Sequence, residues 1–485
     1  MNRRKFLGAV ALGSAALTGV NLYDLANPER ADALSSSGGI GIEEGLYILG
    51  KGKEKNIQPV VRPEIRNNPR AVFLIETHVD AVSDRDGFFT EAIPQLAEAG
   101  ESAVSDLFVK GTTKGGSTLL KPNLTYVDPV YYNRTCGVMT SPDFVAGFAE
   151  GLRELGNTNV IAGERIGGGA KMHRETGVYD AFDERNVTLL EASYSKFAHY
   201  RKHELNWATA RDSIVCKKIP HWRPIGDPDN TLINMAKLKV HDIGITTLTV
   251  KNLQGAVPHG YGHFCDPWAK MPINSENWGV DFKRDFHQDY QQRVEASFRK
   301  HLAAGYKYLD YDNLYPQYLE KGGWEAFRKI RNDPKAIDAF LPGSKNRYPD
   351  IDNLMRLEQW LQRGLDNAAV LNPALNIVEG IIGMDGYQHG SGGIGDDYLC
   401  NSIIAGVSPY EVDAVGTYIM GHDPREVLYT RAAKERGLGE CDVSSIDIYR
   451  IRNGEIVPVK SLAEIKRFRL GVNMHGTDPN ERMVW

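Results

Sequence analysis

Apolar runs of four to six residues, broken by turn signals and separated by longer stretches of helical period, recur through the first half of the chain. Residues 71–76 form such a run, as do 117–120, closed by Lys121-Pro122-Asn123, and 159–162, closed by Gly163-Glu164. Between the last two, Ser141-Pro142-Asp143 opens an amphipathic segment that ends near Gly156, with a proline at the first turn, where its missing N–H costs nothing. Strand, helix and strand in that order predict a βαβ unit. Further strands are expected over 187–190, 213–216, 237–240 and 376–378, and a long helix over 352–370 with Leu354, Leu357, Leu361, Leu365 and Ala368 on one side. The predicted fold class is α/β, a mostly parallel sheet with helices on both faces in the Rossmann-like manner, plus a helical and loop insertion. No internal repeat is visible.

The polar stretches set the expected boundaries. Residues 34–70, rich in Ser, Gly, Asn and Pro, read as an N-terminal arm. Residues 71–280 are the first part of the α/β core, and 281–352, dense in Tyr, Lys, Arg, Asp and Asn, are a polar helical insertion. Residues 353–485 complete the core and add a C-terminal segment.

The first 33 residues carry a different signal. Asn2-Arg3-Arg4-Lys5-Phe6-Leu7 is a twin-arginine motif, a weakly apolar run of small residues follows, and Ala31-Asp32-Ala33 is a small-x-small cleavage site. The apolar run is shorter than the roughly 20 residues needed to span a bilayer. The expectation is a leader read by the twin-arginine export machinery, which carries folded cargo, with a periplasmic or other extracytoplasmic destination and membrane contact only through the leader.

A formal charge of −5 over 485 residues leaves no basic face for nucleic acid. The five cysteines, at 136, 216, 265, 400 and 441, include no Cys-x-x-Cys pair, which disfavours an iron–sulfur cluster held by the usual spacing.

Candidate chemistry gathers where the predicted strands end, since open α/β sheets bind ligands outside the carboxyl ends of their strands. Lys121 and Asn123 follow the second strand, Glu164 the third, Lys239 and His241 close another, and Glu379 and Asp385 follow the late one. In the segment 249–258, Lys251 and Asn252 are set among apolar residues. We expect Lys121, Asn123, Lys239 and Asn252 to bind a small anionic substrate, a carboxylate or phosphate, and His241, Lys251, Glu379 and Asp385 to do the acid–base work. Lys237, on the alternate strand position, is the one expected to face solvent. The run from Pro258 to Asp266 offers His259, His263 and Cys265, donors that suit a divalent metal such as zinc; the same glycine-rich segment also reads as a metal-free lid. The cofactor stays open between these readings.

Four motifs in order, Thr118-Leu119-Leu120-Lys121-Pro122-Asn123-Leu124, the stretch from Met235 to Pro258, Val378-Glu379-Gly380-Ile381-Ile382-Gly383-Met384-Asp385-Gly386, and Val412-Asp413-Ala414-Val415 with Met420-Gly421, resemble those of the family known as domain of unknown function number 362. The resemblance runs over roughly 71–439. Many such relatives carry or adjoin ferredoxin-like cysteine motifs, which implies redox chemistry for them; this chain has none. Two departures stand out. Gly386-Tyr387-Gln388-His389-Gly390 replaces the usual Gly-x-Gly-Pro, and Ser408-Pro409-Tyr410-Glu411-Val412-Asp413 lacks the usual leading aspartate, which implies that any role it had has shifted to Glu411 or Asp413 or that the reaction has changed. Three functions compete: an exported enzyme for a small anion, with or without the metal considered above; a redox or electron-transfer accessory protein; and a non-catalytic periplasmic binding or assembly protein.

Overall fold

A computed structural model of the chain describes residues 57–83, 88–111, 116–125, 133–165, 170–192, 205–241, 244–258, 282–304, 336, 339, 352–384, 397–468 and 470. The leader, the arm before residue 57, most of 281–352, and Asp385, His259, His263 and Cys265 lie outside the described residues.

In chain order the elements that position the site are β1 (Val72–Glu76), α1 (Ile93–Leu107), β2 (Ser117–Pro122), α2 (Pro142–Glu154), β3 (Val160–Arg165), β4 (Thr188–Ala192), β5 (Asn230–His241), β6 (Ile245–Thr247), α3 (Thr249–Asn252), α4 (Tyr290–Ala303), α5 (Asp352–Val370), β7 (Leu375–Met384), β8 (Asp397–Gly406), α6 (Pro409–Ile419), α7 (Leu428–Glu435), β9 (Ile448–Arg452) and β10 (Glu455–Pro458). One large sheet runs in the order β10-β9-β1-β8-β7-β5-β2-β3-β4, with β6 folded back on β5. β9 pairs in parallel with β1, and β7, β5, β2, β3 and β4 run parallel to one another; β8 and β10 run against their neighbours. The fold is therefore α/β with a mostly parallel sheet, as the alternation of apolar runs and helical stretches predicts.

Both faces of the sheet are covered, which is why its strands read as continuous apolar runs rather than as alternating ones. On one face α1 and α2 pack with Phe73, Ile75, Leu120, Ile233, Met235, Ile377 and Ile403; on the other, α6 and the C-terminal segment cover Val72, Leu74, Ala236, Leu238, Val240 and Val378. α1 and α2 approach to backbone contact: a Cβ on Gly147 would stand 2.0 Å from the carbonyl oxygen of Ala97, so only glycine fits.

Six of the seven strands expected from sequence overlap observed strands. The seventh, over 213–216, does not form. The backbone N–H groups of Ile214, Val215 and Cys216 all donate to the carboxylate of Asp366, at 3.0, 2.7 and 3.0 Å, so the donors a strand would offer a ladder are already taken by α5. Only an isolated bridge joins Cys216 to Phe286. A separate hairpin, Leu205–Thr209 with Lys218–Trp222, flanks this segment instead. Residues 57–70, at the end of the expected arm, are packed: Val60–Val61 pairs with Phe108–Val109 and Ile65 is fully buried. Among the described residues no helix is long and apolar enough to cross a membrane.

Candidate functional site

The connection from β2 to β3 passes through α2 on one face of the sheet, whereas the connection leaving β5 passes through α3 on the other, since Asn234 on β5 donates to the carbonyl of Thr249 at 3.0 Å. β2 and β5 are neighbours. Where adjacent parallel strands send their chains to opposite faces, the loops part and leave a crevice outside the carboxyl ends. The charged residues singled out from sequence lie around this point.

Register and the alternation of side chains divide them. Lys121 on β2 is opposite Asn234 on β5, so these two share a face; Lys237 and Lys239 are an odd number of residues further along β5 and point to the other. On the Lys121 face, its ammonium is fully buried and donates to Glu164 Oε2 at 2.7 Å, Asn252 Oδ1 at 3.1 Å and the carbonyl of Pro122 at 3.1 Å. A lysine has three N–H donors, and all three have oxygen acceptors. The Glu164 carboxylate is likewise engaged, Oε1 by the N–H of Arg165 at 2.7 Å and Oε2 also by that of Leu124 at 3.4 Å. Burial holds the Lys121 ammonium below its ordinary pKa; Glu164 opposes this, while the like charges of Arg165 and Lys251 add to it. Arg165 and Lys251 are only partly buried, and Arg165 Nη1 donates to the carbonyl of Val257 at 3.2 Å.

The backbone of the 3₁₀ turn Leu253–Ala256 closes over the pair. A Cβ on Gly255 would lie 2.2 Å from Glu164 Oε1 and 2.6 Å from Lys121 Nζ, and the turn is pinned by Trp222 Nε1 donating to the Gly255 carbonyl at 2.7 Å. Gly255→Ala is therefore expected to lower stability by about 1–3 kcal/mol, the usual penalty for an overpacked site, and a urea denaturation midpoint equal to that of the parent would contradict this packing.

On the opposite face Lys237 is completely buried, contrary to the solvent exposure expected of it, and its ammonium donates to Glu379 Oε2 at 2.5 Å. The reason is geometric: β5 extends beyond the end of β2 under α2, so position 237 lies inside a layer rather than on a free surface. Glu379 also accepts from the N–H of Ser141, at the start of α2, at 3.0 Å, and its other oxygen accepts from the N–H groups of Ile381 and Ile382 at 2.8 and 3.3 Å, where β7 bulges away from β5. A helix N-terminus favours a carboxylate there. Lys239 is buried nearby; it, Lys237 and Asp397 all act on the Cys136 thiol, which burial pushes up to about 12. Asn123 exchanges backbone bonds with Thr140, accepting its N–H at 3.0 Å and donating to its hydroxyl at 2.9 Å, one residue before α2 begins its approach to Glu379.

The candidates at the strand ends thus divide into two groups on opposite faces of one sheet edge: Lys121, Asn252 and Lys251 with Glu164 and Arg165 on one, Lys239 and Glu379 with Lys237 on the other. His241 ends β5, two residues beyond Lys239. It is fully buried, its Nδ1 accepts from the N–H of Gly244 at 3.1 Å, and its ring stacks on Trp360 with centroids 5.8 Å apart. That environment fits a packed corner of the β5–β6 hairpin. Glu411 accepts from Arg70 Nε at 2.8 Å, from the N–H of Glu440 at 3.0 Å and from the Ser408 hydroxyl. Asp413 accepts from the N–H of Thr249 at 2.7 Å, from its hydroxyl at 2.5 Å and from the N–H of Val250 at 3.0 Å, and so caps α3 from α6. Both carboxylates of the altered motif are bound up in holding the fold.

Sequence reasoning left Lys237, Arg165, Asn234 and Asn376 out of the site. A signal existed for Asn234, since an asparagine amid a long apolar strand is costly unless its amide is satisfied.

A family model described as Domain of unknown function (DUF362) matches residues 118–418, which spans β2 to α6 and every residue of both groups. No curated protein and no solved structure gives a significant match to the chain.

Proposed function

We propose, starting from the fact that this chain belongs to the domain of unknown function 362 family, a membership that names no reaction, that it binds a small carboxylate- or phosphate-bearing molecule at the carboxyl edge of β2 and β3. The observation that carries this reading is the field around Lys121, in which Arg165 and Lys251 add two positive charges beside the one negative charge of Glu164. The partly exposed cations at the rim, Arg165 and Lys251, are the groups offered to the anion. Arginine suits bidentate contact with a carboxylate or phosphate, and lysine supplies a point charge. Lys121, with each of its hydrogens engaged, serves as a fixed positive charge rather than as a base. The twin-arginine leader read in the sequence would put this binding outside the cytoplasm, and turnover of the bound anion would make the protein an enzyme. A second reading, a non-catalytic exported binding protein, is favoured by the burial of the Lys121–Glu164 and Lys237–Glu379 ion pairs, which commits those four groups to one another.

Titration calorimetry with inorganic phosphate and with succinate tests the shared premise. We expect one of them to bind in a salt-sensitive manner, and Lys251→Met to weaken it about tenfold or more, as loss of a charge-assisted contact does, with little change in melting temperature because the apolar stem is kept. Absence of binding by both probes, or affinity unchanged in the variant, would overturn the proposal.

A further inference from the structure

Three buried asparagines connect Lys121 to the far side of β7. Asn252 Nδ2 donates to Asn234 Oδ1 at 2.8 Å and to the Lys121 carbonyl at 3.0 Å; Asn234 Nδ2 donates to Asn376 Oδ1 at 2.8 Å and to the Thr249 carbonyl at 3.0 Å; Asn376 Nδ2 donates to the Val407 carbonyl at 2.8 Å. Asn234 and Asn376 are fully buried, and Asn252 very nearly so. Both amide hydrogens of Asn252 and both of Asn234 meet oxygen acceptors, so neither amide can turn over without setting N–H against N–H or oxygen against oxygen. The consequence is a direction: along the row each amide oxygen accepts from the side of the Lys121 ammonium, and each amide nitrogen donates to the next acceptor further from it. Such a row is polarised along its length, and each link strengthens the next in a low-dielectric interior.

We infer that Asn234 and Asn376 are positioning residues which, through Asn252, orient the Lys121 ammonium and keep it charged beneath the anion-binding rim. The inference rests on the reading of that rim as a ligand site, but concerns the cation beneath it. An amide oxygen that accepts from the ammonium favours its charged form, against the burial that draws the lysine toward its neutral form. Asn376 acts through two intervening amides, which is why nothing in its own surroundings marks it as part of a site.

The test uses lysine-selective ¹⁵N labelling of the full chain, in which a buried, hydrogen-bonded ammonium gives a slowly exchanging Nζ signal, assigned here by its loss in Lys121→Met. In Asn376→Leu we expect that signal to exchange about tenfold faster, the equivalent of one buried hydrogen bond, and to titrate at lower pH than in the parent. Asn376→Gln, which retains an amide, should restore part of the difference. A well-folded Asn376→Leu protein whose Lys121 signal exchanges and titrates as in the parent would overturn the inference. Failure of the ligand-site reading looks different: neither inorganic phosphate nor succinate binds, while the Lys121 signal still responds to the asparagine variants.

Discussion

Glu379→Ala is expected to lower the unfolding free energy by about 3–5 kcal/mol, the usual cost of removing one member of a buried ion pair. The Lys237 ammonium would be left in a layer between sheet and helix with its acidic partner gone, and the N–H groups of Ser141, Ile381 and Ile382 would lose their acceptor. That combination is worse than the loss of one contact, because each orphaned group keeps its desolvation cost. The double variant Lys237→Met with Glu379→Leu removes both charges and fills much of the space, so it should be distinctly more stable than Glu379→Ala alone. Urea denaturation of the parent, Lys237→Met, Glu379→Leu and the double variant closes the cycle, with Glu379→Ala measured beside them. A Glu379→Ala protein within about 1 kcal/mol of the parent, the range of an exposed pair, would show that Lys237 and Glu379 are not held as described.

That pair also shows where sequence reading succeeds and where it stops. The strands were legible because burial on both sides of a parallel sheet demands nearly unbroken apolar runs, and β2, β3, β5 and β7 have them. β8 was not, since Asp397, Asn401 and Ser402 interrupt its run, and its antiparallel pairing with β7 and β1 leaves no trace in local pattern. The charged residues at the strand ends were found from the rule that chemistry gathers there, but their grouping was not. Lys121 and Lys237 are assigned to different faces by inter-strand register, which no single strand encodes. Their acids, Glu164 and Glu379, lie 43 and 142 positions away. α5 misled in another way. Its leucines predict one apolar face, yet Glu358, Gln359, Gln362, Asp366 and Asn367 are buried as well, with Asp366 holding the 214–216 backbone and Asn367 donating to the Leu253 carbonyl at 2.8 Å.

Asp413→Asn should flatten the pH dependence of stability between about pH 4 and pH 7. Burial pushes the Asp413 carboxyl up to about 7, against the hydrogen bonds from Thr249 and Val250 that favour its ionised form. In the unfolded chain an aspartate titrates near 3.9. Below about pH 4 both states carry the proton, and its stabilising contribution is complete. As pH rises from there, the unfolded chain ionises first while the folded chain keeps its proton. The folded state then binds more protons, so stability falls with rising pH until Asp413 itself ionises near 7, above which nothing more is lost. The total over that window is about 4 kcal/mol, three pKa units at 1.36 kcal/mol each. Asp143, pushed up to about 6 by burial at the start of α2, adds a loss of the same sign and is unaffected by the substitution. The difference between parent and variant therefore isolates Asp413, and unfolding free energies from urea titrations at pH 4.5, 5.5, 6.5 and 7.5 would measure it. The gap between the two proteins should shift steadily in favour of the variant as pH rises. Curves that stay parallel across the window would mean that the cap on α3 is ionised throughout, and that the donors at its N-terminus outweigh the cost of burying the charge.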